Sequence, residues 1–134
     1  MIYQSDFDHD FQRGLVGENL VESFLVALQG GTIETKTDSR VTETGNVYVE
    51  TWQWRDSESN AKQSGINITK ADFWCIASPE GNGFVMIRTD ALKEVIRDTN
   101  APEARQPIGN DKTMASKGRL VKMTDIMKKI GLSK

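Results

Sequence analysis

TIETKTDSRVTETGNVYVETWQW, residues 32–54, decides how the chain is read. TIETKTD (32–38) is rich in β-branched residues, and VYVETWQW (47–54) alternates apolar with polar positions and carries three aromatics; both patterns favour strands. The polar SRVTETGN (39–46) between them reads as a loop, and its Gly45-Asn46 pair permits positive φ. Two strands joined by a loop are most simply an antiparallel pair. If Asp38 stands opposite Glu50, then Lys36 faces Trp52, and parity puts all four side chains on one face. Opposed residues have Cβ atoms ~4.5–5.5 Å apart. Two carboxylates at that separation repel unless they share a hard cation such as Mg²⁺, which takes oxygen ligands at about 2.0–2.1 Å. The register is an expectation, because eight intervening residues do not fix it.

Upstream, FQRGLVGENLVESFLVAL (11–28) places Val16, Leu20, Phe24 and Leu28 four apart, with Leu15, Val21 and Leu25 widening the stripe. That is the helical period. Gly30-Gly31 ends it, so a first helix is predicted over about 11–29. Downstream, RDSESNAKQSG (55–65) is a polar loop and INITKAD (66–72) a short turn or irregular connection. FWCIAS (73–78) and FVMIRT (84–89) flank the turn EGNG and form a second hairpin. Asp90 is the expected N-cap of ALKEVIRDT, whose Leu92, Val95 and Ile96 face one way. After a Pro-containing loop, RLVKM (119–123) reads as a late strand and Thr124 as the cap of TDIMKKI, which stops at Gly131. The order is α+β in one domain, 1–134.

The 134 residues suit one core, with 37% hydrophobic and 27% charged residues excluding a disordered or fibrous chain. No apolar run approaches the ~18 residues of a membrane span, and MIYQSDFDHDF at the start is acidic where a signal peptide is basic. A cytoplasmic protein without membrane contact is the expectation. Cys75 and His9 are the only residues of their kinds, which excludes disulfide scaffolds, Cys/His zinc sites and thiol–histidine dyads. Any metal must be held by oxygen. The net charge of −2 conceals an asymmetry: residues 1–100 carry 9 Lys+Arg against 16 Asp+Glu, and residues 101–134 carry 8 against 3. A basic segment beside an acidic region can neutralise phosphates, although a solvated face has the same composition.

The order and spacing of the acids resemble the PD-(D/E)xK nuclease superfamily, and TGNVYVE followed by SGINITKADFW resembles its small phage-encoded resolvase-type members. The resemblance covers about residues 11–90. It implies a restriction-endonuclease-like core, αβββαβ, with a mostly antiparallel mixed sheet flanked by helices. It also implies that Glu18 is the helix acid, Asp38 the strand acid and Glu50 the Glu of Glu-x-Lys, together holding Mg²⁺ or Mn²⁺. One departure stands out: Glu50-Thr51-Trp52 has tryptophan where the lysine belongs. Lys36, cross-strand from Trp52 in the assumed register, and Lys70 in TKAD are the two candidates to replace it, singly or both together. Gln53 points away from Glu50 if the strand is regular, and receives no role.

The implied activity is metal-dependent phosphodiester hydrolysis in DNA, structured or branched DNA in particular, with RNA as an open second substrate and a homodimer compatible with a symmetric junction. The alternative is a catalytically inactive nuclease fold that binds nucleic acid or protein. Each residue also has an ordinary reading: Glu18 as an exposed helix glutamate, Asp38 as a turn former, Lys36 as an edge-strand guard and Lys70 as surface charge. Glu50 resists this, since mid-strand burial of an unpaired carboxylate is costly.

Overall fold

The computed structural model describes residues 24, 26–27, 29–38, 40–81, 83–109 and 111–132. Glu18 and most of the helix predicted over 11–29 lie outside these residues. The end of that helix is within them: Phe24, Val26 and Ala27 are helical, the Gly31 amide donates to the Ala27 carbonyl (2.8 Å), and Gly30 takes φ 126°.

The chain builds two sheets. The first contains β1 (Ile33–Thr37), β4 (Phe73–Ala77) and β5 (Phe84–Arg88) in the order β1-β4-β5, with β1 parallel and β5 antiparallel to β4. The second is antiparallel, β3-β2-β7-β6, from β2 (Asn46–Arg55), β3 (Lys62–Gln63), β6 (Glu103–Ile108) and β7 (Asp111–Lys122). Helices α1 (Val41–Thr44), α2 (Thr89–Thr99) and α3 (Met123–Met127) complete the α+β architecture, and a π-type turn, Lys128–Leu132, follows α3. Among the described residues no helix is long and apolar enough to cross a membrane.

β4 is the central strand of its sheet, and its sequence FWCIA is apolar on both faces because both are covered. Phe73 and Cys75 pack with Ala27 and Met86 on one side. Trp74 and Ile76 join Val47, Val49, Leu92, Val95, Val121 and Ile126 on the other, so the main core lies between the sheets and the helices. Burial pushes the Cys75 thiol above its ordinary pKa, with Thr35 pulling weakly the other way. A buried, protonated thiol is a poor nucleophile. Cys75 is therefore expected to stay unreacted with a thiol-disulfide reagent in the native protein and to react on addition of urea; fast labelling without denaturant contradicts this placement.

The hairpin over 73–89 forms as expected, and β2 fills its predicted span. Four expectations are corrected. The strand at 33–38 does not pair with that at 47–54: β1 joins β4, some 40 residues away, and β2 joins β7 and β3. The supposed Pro-containing loop is half of a hairpin, with β6 at the sheet edge, where Pro107 costs no central ladder bond, and RLVKM is only the last part of the 12-residue β7. SRVTETGN contains the short helix α1, closed by Gly45 at φ 73°. The helix caps shift as well: α2 begins at Thr89 with Arg88 at the N-cap, and α3 at Met123 with Lys122 there, so Asp90 and Thr124 sit inside their helices.

Candidate functional site

Glu34, Lys36 and Asp38 alternate along β1 and its continuation, so they share a face. The parallel register sets Glu34 beside Trp74 and Lys36 beside Ile76, which fixes that face as the one turned to the main core. The Lys36 ammonium sits 5.8 Å from the centroid of the Trp74 ring and 3.7 Å from a Glu34 carboxylate oxygen.

Asp38 brackets the turn that follows. Its Oδ1 accepts from the Arg40 amide and its Oδ2 from the Tyr48 amide, both at 2.9 Å. The first bond closes a local turn of the kind Asp favours. The second ties the end of β1 to the edge of β2 away from β7. The expected strand pairing is thus replaced by one carboxylate bridging two strands that belong to different sheets.

Glu50 is held by a different device. Up to this point β2 pairs regularly with β7, Glu50 lying opposite Gly118; the next pair is Trp52 with Lys117, so Thr51 is an extra residue, a β-bulge. Two glycines press on the backbone here. A Cβ on Gly118 would stand 2.4 Å from the Val49 carbonyl oxygen and 3.0 Å from Glu50 Cα, and one on Gly65 2.2 Å from the Glu50 carbonyl oxygen. Gly65 also has φ 53°, which favours glycine on its own account. The glycine of SGINITK is therefore required by the close approach of the Gly65–Asn67 3₁₀ turn to Glu50.

The bulge resets the alternation. By register with β7, Glu50 (opposite Gly118) and Gln53 (opposite Ser116) share one face, and Trp52 (opposite Lys117) takes the other, with Val49 and Arg119. The expectation that Asp38, Glu50, Lys36 and Trp52 share one face of a sheet therefore fails: β1 and β2 belong to different sheets, Trp52 is turned away from Glu50 within β2, and Lys36 is not its cross-strand neighbour. The phase assumed for Gln53 is reversed too, although Gln53 is exposed and does not line the cleft described next.

Asp38, Glu50 and Lys36 line one cleft of about 250 Å³, together with Arg40, Tyr48 and Trp74. Glu50 is half-buried, and its carboxylate has no hydrogen bond or ion pair among the described residues. Trp74 is 1% exposed and its indole N–H has no hydrogen-bond partner among the described residues. Tyr48 shares a 2.8 Å hydrogen bond with the Ser116 hydroxyl; burial, supported by the Glu50 charge, raises its pKa above the ordinary value despite that bond. The phenol is accordingly neutral around pH 7 and offers a dipole rather than a charge.

Lys70 does not line the cleft and is exposed, on the segment between the 3₁₀ turn and β4. That segment is latched to β1 on either side of it: the Thr69 hydroxyl donates to Glu34 (3.3 Å), and Asp72 accepts from the Thr32 amide and hydroxyl (3.1 and 3.2 Å). Arg40, Tyr48 and Trp74 were not singled out from the sequence as cleft residues. Only Arg40 carried a signal, as a cation two residues after a turn-forming aspartate.

The donor set suits a hard divalent cation. Asp38 is fixed through both oxygens yet keeps lone pairs, and the half-buried Glu50 carboxylate makes no ion pair among the described residues. Among the described residues no group of three or more His, Cys, Asp or Glu side chains converges. This region thus offers two carboxylates, Asp38 and Glu50, and Glu18 lies outside the described residues. Compared with protein-family models, curated proteins and solved structures, the chain matches none.

Proposed function

We propose that the chain is a divalent-metal-dependent endonuclease acting on DNA, with a core of the restriction-endonuclease kind. The observation that carries this reading is the single cleft lined by two carboxylates on different strands, Asp38 and Glu50, and a lysine, Lys36. Asp38 and Glu50 would hold the ion, with Glu18 as the further acid that the family resemblance implies. Bound there, Mg²⁺ or Mn²⁺ supplies Lewis-acid polarisation of a phosphoryl oxygen and a more acidic water. The chain's own residues do the rest. Lys36 and Arg40 bring positive charge to the cleft wall and offset the anionic phosphate as charge accumulates, and the Trp74 N–H is a buried donor in the same wall without an acceptor among the described residues.

The alternative of an inactive fold was motivated by Trp52 in the lysine's place. The bulge turns Trp52 out of the cleft, and Lys36 is present within it, so this motive is weakened.

The test is cleavage of supercoiled plasmid, single-stranded DNA and a four-way junction in Mg²⁺ or Mn²⁺ against EDTA. Metal-dependent cutting of at least one substrate is expected, and its absence on all three removes the proposal. Lys36→Ala is expected to slow cutting about 100-fold, the scale for losing one preorganised donor, and Lys70→Ala to change it only a few-fold. Unchanged cutting in both single variants and the double variant overturns the assignment of a replacement lysine.

A further inference from the structure

The bulge gives Trp52 a surrounding of its own. On the face of β2 opposite Glu50, Trp52 lines a second cleft, of about 450 Å³, between the sheet and the outer side of α2. That volume falls within the ~300–1,000 Å³ of sites that hold small molecules. Lys93, Ile96 and Arg97, spaced i, i+3, i+4, present one helix face to the cleft. Arg119 enters from β7, one guanidinium N–H held by the Ala101 carbonyl at 2.7 Å.

The lining carries three cations, Lys93, Arg97 and Arg119, against one acid, Glu103. Arg97 also meets Asp98 at 3.1 Å, but both side chains are more than 60% exposed, and such a pair holds the guanidinium weakly. Lys117, beside the cleft, has its ammonium 5.7 Å from the Trp52 ring centroid but also 3.9 Å from a Glu58 carboxylate oxygen, so it adds no net charge to the lining. The result is a half-buried indole in a concave, cationic setting. A flat, electron-rich ring can stack on the indole while phosphate meets the cations, a combination that binds unpaired nucleotides with little regard to sequence.

We propose that this cleft binds an unpaired nucleotide unit, its base stacked on Trp52 and its phosphate on Lys93 and Arg97. The site lies on the opposite face of β2 from the acids, and the inference does not rest on the nuclease reading.

The probe is a fluorescein-labelled dT hexamer, followed by anisotropy with the full chain in EDTA, so that neither metal nor cleavage enters. Binding is expected to weaken with salt. Trp52→Leu is expected to cost at least about fivefold in affinity, and Lys93→Gln and Arg97→Gln are each expected to flatten the log–log salt slope by about 0.7. Thermal unfolding of each variant reports whether it folds. Should Trp52→Leu fail to fold, Trp52→Phe answers the question: hexamer should still bind, but the quenching of indole fluorescence seen with the parent should be largely lost. Competition by dTMP identifies free nucleotides as a source, and competition by hexamer alone identifies a strand; both support the site. The proposal is overturned if Trp52→Leu, Lys93→Gln and Arg97→Gln bind like the parent, or if Trp52→Phe keeps the parent's quenching. It is equally overturned if inorganic phosphate competes as well as dTMP, or if an Asp/Glu-rich peptide displaces the hexamer more effectively than either.

Discussion

Replacing Glu50 by glutamine is expected to reduce metal-dependent cleavage about a thousandfold while leaving the unfolding midpoint in urea at or slightly above that of the parent. The rate loss follows from removing one of two charged ligands, since metal-assisted charge stabilisation is worth several kcal/mol and each ~1.4 kcal/mol is tenfold in rate. The unchanged stability follows from the Glu50 carboxylate having no protein partner to lose among the described residues. Asp38→Ala should behave differently. It abolishes cutting and also frees the Arg40 and Tyr48 amides, which hydrogen-bond its two oxygens. Bonds to an ionised acceptor contribute roughly 1.5–3 kcal/mol each, discounted for the exposure of the Arg40 bond, so a fall of about 2 kcal/mol in unfolding free energy is expected. Cleavage rates and urea midpoints on the two proteins separate these effects. Parent-like cutting by Glu50→Gln would end the metal-site reading; an equal stability loss in both variants would mean that Glu50 is bonded in a way the structure does not contain.

The second large effect is on folding. Gly65→Ala places a methyl group where the Glu50 carbonyl oxygen already is, at a backbone angle that disfavours side chains, and Gly118→Ala places one against the Val49 carbonyl oxygen, by contact alone. Backbone atoms cannot rotate aside as side chains can. Overpacking costs about 1–3 kcal/mol even where side chains give way, so each variant should lose at least about 3 kcal/mol, read as a lower urea midpoint at unchanged slope. Gly45→Ala is the control: its φ is 73° but its Cβ would meet nothing within 4 Å, so only the conformational penalty of about 1 kcal/mol applies. Similar losses at all three positions would show that the close approach to Glu50 does not matter.

These effects concern features that differ in how far the amino-acid sequence exposes them. VYVETWQW, FWCIAS with FVMIRT, and ALKEVIRDT carry strong local patterns, and their elements form where the patterns lie. β6 and most of β7 carry weak ones: EARQPI and DKTMASKG are polar, and the ladder between them is built from backbone groups that composition does not reveal. The pairing of β1 was misjudged because a neighbouring strand is the simplest partner, whereas the apolar two-sided strand β4 offers β1 a buried neighbour farther along the chain. Asp38, Glu50 and Lys36 nonetheless come to one cleft, through a carboxylate bridge rather than the assumed strand pairing. The phase of Trp52 and Gln53 was not legible, because an inserted residue shifts alternation without leaving a compositional trace.

That inserted residue means the cleft's identity is written partly in arithmetic. Between Glu50 and the strand end, counting residues matters as much as naming them: shortening this stretch by one would exchange the side of the sheet on which every subsequent side chain emerges, while preserving all but one letter of the text. Anyone transplanting the pocket to another scaffold must copy that count, and a mutagenesis survey confined to substitutions would never encounter it.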